Sequence, residues 1–184
     1  MNGPVLPILA PAPRISRKFV GVSVLAAVLA TWVLQLADRS LRTAAAPNGI
    51  VSFELARDLG GVQAVLGSWD AQARVWAGFS LGFDYLYMLL YANALAAIIL
   101  WMGGHVFSSQ GRFPRWSLLL AWGMWVAALF DATENLALIL LLQGQRAAFL
   151  PLLAWACALV KFGLLGLGGV VILAGLVRRL LARW

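Results

Sequence analysis

The chain has 184 residues, 62% of them hydrophobic and only 11% charged, with a formal net charge of +7. A soluble domain is about 45–50% apolar and about 25% charged, so this composition excludes an ordinary soluble fold and indicates an integral membrane protein. The basic excess is not a nucleic-acid signal, because most of the Lys and Arg residues gather at the ends of apolar stretches.

Residues 1–18 hold four of the seven prolines and read as a flexible cytoplasmic tail. The first span follows, Phe19 to Ala37, long enough to cross about 30 Å of hydrocarbon at 1.5 Å per residue. A cleaved signal peptide is the competing reading. The apolar run exceeds a usual signal core, and neither Gln35-Leu36-Ala37 nor the late Ala44-Ala45-Ala46 is a good cleavage site, so the span is expected to stay in the protein.

The 38–75 loop balances four Arg against Asp38, Glu54, Asp58 and Asp70. Gly49 to Ala56 is apolar and partly β-branched, which predicts an extended piece on the membrane surface. Asp58 then caps a short amphipathic helix whose apolar positions are Leu59, Val62, Val65, Leu66 and Trp69. Such a helix is either a lid or a cover packed on the bundle. Ser68 is read as the cap of the second span, with Asp70 in its first turn.

The second span runs from about Trp76 to Met102, the third from Trp116 to Leu142 and the fourth from Phe149 to Val177. None shows the period-2 alternation of a barrel strand, so each is a helix, the form that satisfies its own backbone in lipid. Arg14, Arg17, Lys18, Arg112, Arg115, Arg178, Arg179 and Arg183 mark the cytoplasmic ends. Both termini and the 103–115 loop are therefore expected inside; the 38–75 and 143–148 loops face outward. Trp32, Trp69 and Trp76 fit an outer aromatic belt, and Trp101, Trp116 and Trp184 an inner one. Gly78-x-x-x-Gly82, and Ala154, Ala158, Gly163, Gly166, Gly168 and Gly169, predict close helix contacts.

The expected fold is an all-α integral membrane protein, a four-transmembrane-helix bundle with an outward-facing loop containing a short amphipathic helix. It forms a single domain over residues 19–178, followed by a basic end at 179–184. Its place is the cell inner (plasma) membrane, multi-pass, with the bilayer as partner and no nucleic acid. One cysteine, Cys157, and one histidine, His105, rule out a CxxC site, and His105 reads as a solvated loop residue. No cofactor, metal or catalytic residue is assigned.

Four ionisable residues stand inside these apolar spans: Asp84, Asp131, Glu134 and Lys161. Counted from the outer ends, all lie about 12–18 Å deep. On the second span Ser80, Asp84, Tyr87 and Tyr91 share one stripe, while Asn93 points elsewhere. On the third, Asp131, Glu134 and Asn135 share a face, and on the fourth Lys161 lies among Ala154, Cys157, Ala158 and Gly168. These faces predict one buried cluster. Three carboxylates against one ammonium leave an acid excess, so at least one of Asp84, Asp131 and Glu134 is protonated at neutral pH or the site holds a cation. The competing explanation is structural: intramembrane polar groups also lock helices together, at about 0.6–2 kcal/mol each. Tyr85 and Tyr87 are candidate hydrogen-bond donors to the acids.

Phe83-Asp84-Tyr85-Leu86-Tyr87 with Tyr91, and Asp131-Ala132-Thr133-Glu134-Asn135, resemble the paired F-D-x-L…Y and D-x-x-E-N signatures of a group of small bacterial four-helix membrane proteins of uncharacterised activity. The Ile50–Trp69 loop and Ala158-Leu159-Val160-Lys161-Phe162 extend the resemblance over most of residues 49–178. It implies the four-helix span and brings no activity.

Three functions compete. The first is transport or binding, with Asp84, Tyr87, Tyr91, Asp131, Glu134, Asn135 and Lys161 holding a proton, a cation or a small polar or lipid ligand. With so few helices, a carrier would be a homo-oligomer. The second is a non-catalytic membrane subunit that binds a lipid or protein partner, its polar cluster being structural. The third, an intramembrane lipid-modifying enzyme, lacks a Ser-His or Cys-His pairing and an HExxH motif.

Overall fold

A computed structural model describes residues 15–106 and 113–181, apart from the side chains of 113–115. The elements are α1 (Arg17–Asp38), a 3-10 turn (Arg39–Leu41), α2 (Ile50–Glu54), α3 (Leu59–Ser68), α4 (Ala71–His105), α5 (Phe113–Leu142) and α6 (Phe149–Leu181), with no strand among the described residues. Helices α1, α4, α5 and α6 are long and apolar enough to cross a membrane. They cover the four expected spans and overrun them, and α4 begins at Ala71 rather than near Trp76. Most of the expected N-terminal tail, the centre of the 103–115 loop and residues 182–184 lie outside the described residues, although Arg17 and Lys18 already belong to α1.

Short polar side chains set the helix starts. Ser16 accepts from Phe19 N at α1, Asp58 from Gly61 N at 2.8 Å at α3, and Asp70 from Ala73 N at 2.7 Å at α4. Each satisfies an amide that would otherwise lack a partner. Asp70, not Ser68, is thus the cap of α4. Trp69 is extended between the two helices, and the Ser68 hydroxyl instead donates to Val65 O and meets the Thr43 hydroxyl.

Helix α4 lies centrally, packing against α1 on one side and α5 on the other, and α6 packs mainly on α5. Only Ser23, Ala30, Ala37 and Asp38 of α1 are buried. The outward faces carry Val22, Leu25, Trp32, Leu129, Val170 and Leu173, all more than half exposed.

The 42–70 segment is a folded cap rather than an extended surface piece. Residues 50–54 form a helical turn, and Phe53, Val62, Val65 and Trp69 join one apolar core with Leu41, Ala77, Leu81, Leu138, Leu141 and Leu150. Burying Phe53 against the Trp69 ring (5.5 Å, edge-on) outweighs the β-branched preference of Ile50 and Val51. The Trp69 Nε1 donates to Leu41 O at 2.8 Å, tying the cap to the end of α1. Trp69 and Trp101 are therefore core residues, not belt residues, while Trp32 and Trp116 are exposed. The small-residue reading also needs correction. Ala154, Ala158 and Gly168 sit in close contacts, and a Cβ at Gly168 would lie 2.8 Å from Met124 Sδ. Gly82, Gly163, Gly166 and Gly169 face open space, and Gly78 has only an ordinary contact to Leu142.

Candidate functional site

The site is organised around Lys161, which is 5% exposed in the middle of α6. Its Nζ donates to Asp131 Oδ1 at 3.0 Å, to Glu134 Oε1 at 3.0 Å and to Glu54 Oε2 at 3.5 Å. An ammonium has three protons, and all three are used. Glu134 straddles Nζ: its second oxygen approaches to 2.9 Å as a charge contact without a hydrogen bond of its own. On α5 the spacing of Asp131, Glu134 and Asn135 puts all three on one buried face, at 2%, 0% and 1% exposure.

Hydrogen bonds extend this centre to α4. Tyr91 donates its hydroxyl to Asp131 Oδ2 at 2.8 Å, and Asn135 Nδ2 donates to Asp84 Oδ2. Asp84 thus reaches the lysine only through Asn135. Tyr87 stands one turn away and hydrogen-bonds to the Thr31 hydroxyl of α1 at 3.2 Å; Tyr85 donates to Ala132 O at 3.2 Å. Neither phenol hydrogen-bonds to an acid, although Tyr87 shares the cavity described below. Asn93 does point away, donating to Ser23 at 3.0 Å.

Glu54 is the residue that the sequence reading misses. The sequence places it among the charge-balancing acids of the outward-facing loop, yet it is 8% exposed and joins the lysine from α2. Its position depends on a clamp at the head of α2. Gly49 has φ +57° and ψ −127°, a region that an L side chain rarely adopts, and a Cβ there would land on the Asp38 carboxylate. This close approach lets Asp38 Oδ1 accept from Ile50 N at 2.8 Å while Oδ2 pairs with Arg42 Nε at 3.0 Å. One sequence signal was present: Glu54 is the only charged residue between Arg42 and Arg57, inside an apolar run. Burial holds the Glu54 carboxyl above the usual carboxylate range; Lys161 opposes that shift and Asp131 adds to it.

A cavity of about 550 Å³ opens beside this network. Glu54, Asp84, Asp131, Asn135, Tyr91, Tyr87 and Lys161 line it, with Leu34, Leu81, Leu95, Phe162 and Leu165 as its apolar wall. Glu134 is not part of the lining and lies behind Lys161. The structure thus brings the seven expected residues to one place, adds Glu54, and puts Asp38 and Arg42 on the cavity wall. Three carboxyls meet one lysine and a fourth, Asp84, joins them through Asn135, one carboxyl more than the three expected in the cluster. Among the described residues no group of three or more His, Cys, Asp or Glu is arranged to hold a metal ion. Comparison with models of known protein families, with curated proteins and with solved structures gives no match.

Proposed function

We propose that this chain is a multi-pass protein of a bacterial inner membrane whose cavity binds a cation with an apolar body and exchanges it for a proton. Four long apolar helices with apolar outward faces support insertion. Arg17, Arg178 and Arg179, at the end opposite the α2–α3 cap, support a cytoplasmic location for that end. The observation that carries the functional reading is the charge count. Glu54, Asp131 and Glu134 contact a single ammonium and Asp84 joins the network through Asn135, a net charge of −3 if all ionise. A low-dielectric site does not hold that surplus uncompensated, so protons or a cation take it up.

Cavity size selects the ligand class. About 550 Å³ falls within the roughly 300–1,000 Å³ of small-molecule sites and far exceeds a bare metal ion. A lining that combines carboxyls with Leu34, Leu81, Leu95, Phe162 and Leu165 suits an amphipathic amine or quaternary ammonium. The test is thermal stabilisation of the purified protein by tetraethylammonium, an alkylamine and sodium at about pH 8, together with proton release into weak buffer. Saturable stabilisation by the organic cations, with release of a proton, supports the reading. Absence of any saturable effect overturns it.

One observation favours a second reading. Every proton of Lys161 is satisfied, Asp131 also accepts from Tyr91, and Asp84 accepts from Asn135, as in a purely structural lock between helices. On that reading cations leave the melting curve unchanged.

A further inference from the structure

At the other end of the bundle a second cavity, about 230 Å³, is lined by Arg17, Trp101, His105, Val106, Arg178 and Arg179. None of these is acidic. The start of α1 supplies Arg17, the last turn of α4 supplies Trp101 and His105, and the last turn of α6 supplies both remaining arginines. Basic residues at the C-terminal ends of α4 and α6 have an ordinary explanation, since they complement the carbonyl ends of those helices. That explanation does not cover Trp101. Its indole is 8% exposed, yet Nε1–H has no acceptor. A buried donor left unpaired costs about 1–3 kcal/mol, and hydrogen-bond partners are the rule for buried indoles.

The surroundings hold that indole in place. The Arg179 guanidinium lies 5.0 Å from the Trp101 ring centroid, and the His105 ring stacks on it at 5.2 Å. His105 Nδ1 is 3.0 Å from Trp101 O, so this nitrogen carries the proton and donates. A cation and a second ring fix the indole, whose Nε1–H is buried and unpaired, beside a pocket whose polar side chains among the described residues are guanidiniums and an imidazole. Among the described residues that line this pocket no side chain is acidic, and an anion complements such a lining.

We propose that this pocket binds a phosphate-bearing anion, whose oxygens accept from Trp101 Nε1 and from the guanidiniums of Arg17 and Arg179. Guanidinium suits phosphate because its planar fork offers paired N–H donors. The position, at the ends of the long apolar helices, is where the headgroup of an anionic lipid would lie. A soluble phosphate anion offers the same oxygens, and the experiment separates the two sources.

The full chain is purified in a neutral detergent and titrated with phosphatidylglycerol, phosphatidylcholine and inorganic phosphate, with native mass spectrometry as the readout. Variants are Arg17→Gln, Arg179→Gln and Trp101→Phe, which keeps the ring but removes the donor; Arg146→Gln in the 143–148 loop is the charge control. Saturable phosphatidylglycerol binding preferred over phosphatidylcholine, weakened about tenfold or more by either arginine change and about threefold by Trp101→Phe, supports a lipid headgroup. Saturable binding of inorganic phosphate with the same variant pattern supports the soluble anion. Binding of neither anion overturns the proposal, and so does an equal loss in Arg146→Gln, which would mean general charge attraction. Arg17 is exposed on the first turn of α1, so its variant keeps the result readable even if Trp101→Phe fails to fold.

Discussion

Replacing Lys161 by Met removes the one cation from the centre while keeping similar bulk. Its ammonium makes contacts of 2.9 Å to Glu134, 3.0 Å to Asp131 and 3.5 Å to Glu54, and all four side chains are at most 11% exposed. Removing one partner of a buried ion pair typically costs about 3–5 kcal/mol, because the remaining charge is left without compensation. Here three carboxylates lose the same partner. We expect Lys161→Met to lose about 3–5 kcal/mol at pH 8, close to the whole stability of a marginal domain. The loss should shrink toward pH 5, because Glu54, already held above the usual range by burial, can take a proton and give up its charge. Reversible unfolding by SDS in mild-detergent micelles at the two pH values measures both quantities. A loss below about 1 kcal/mol at pH 8, or one that is the same at both pH values, would refute the view that Lys161 neutralises these acids.

Glu54 also makes a prediction for the unmodified protein. A carboxyl whose folded-state value is raised binds more protons folded than unfolded, so its contribution is full below about pH 4.5 and is lost as pH rises toward the folded-state value. Melting temperature measured against pH should therefore fall over that window in wild type and fall less steeply in Glu54→Gln. Gly49→Ala forces a strained backbone and pushes a methyl into Asp38; about 1–3 kcal/mol should be lost, with faster amide exchange across residues 50–54. Trp69→Phe keeps the ring but leaves Leu41 O, on a fully buried residue, without its donor; a loss of about 1–3 kcal/mol in SDS unfolding is expected.

Much of the site was legible because helical geometry converts sequence spacing into depth and direction. Asp84, Asp131, Glu134 and Lys161 lie at one level by counting alone, and the phase of α5 brings Asp131, Glu134 and Asn135 to one face. The cap was harder to read. Residues 50–54 make a single turn, too short for a period to show, and Ile50 and Val51 favour strand locally. What folds that turn is distant: Trp69 receiving Phe53, and Asp38 receiving the Ile50 amide. Glu54 followed its helix into the core, so an acid from a charge-balanced loop became the fourth carboxyl of the cluster. Tyr87 shows the reverse limit. Phase placed it beside Asp84 and Tyr91, but a partner on α1 took its hydroxyl. Small-residue spacing misled for a similar reason, since a Cβ at Gly78 would make only an ordinary contact with Leu142 at 3.9 Å and one at Gly82 would meet nothing within 4 Å.

The acid excess at the cavity is most directly tested by infrared difference spectroscopy of the carboxyl C=O stretch in cation-free protein at pH 7. Wild type is compared with Glu54→Gln, Asp84→Asn, Asp131→Asn and Glu134→Gln. We expect a protonated carboxyl band in wild type that weakens in at least one of the four variants and diminishes when an organic cation is added. Four fully ionised carboxylates at pH 7 with no cation bound would contradict the charge count on which the proposed function rests.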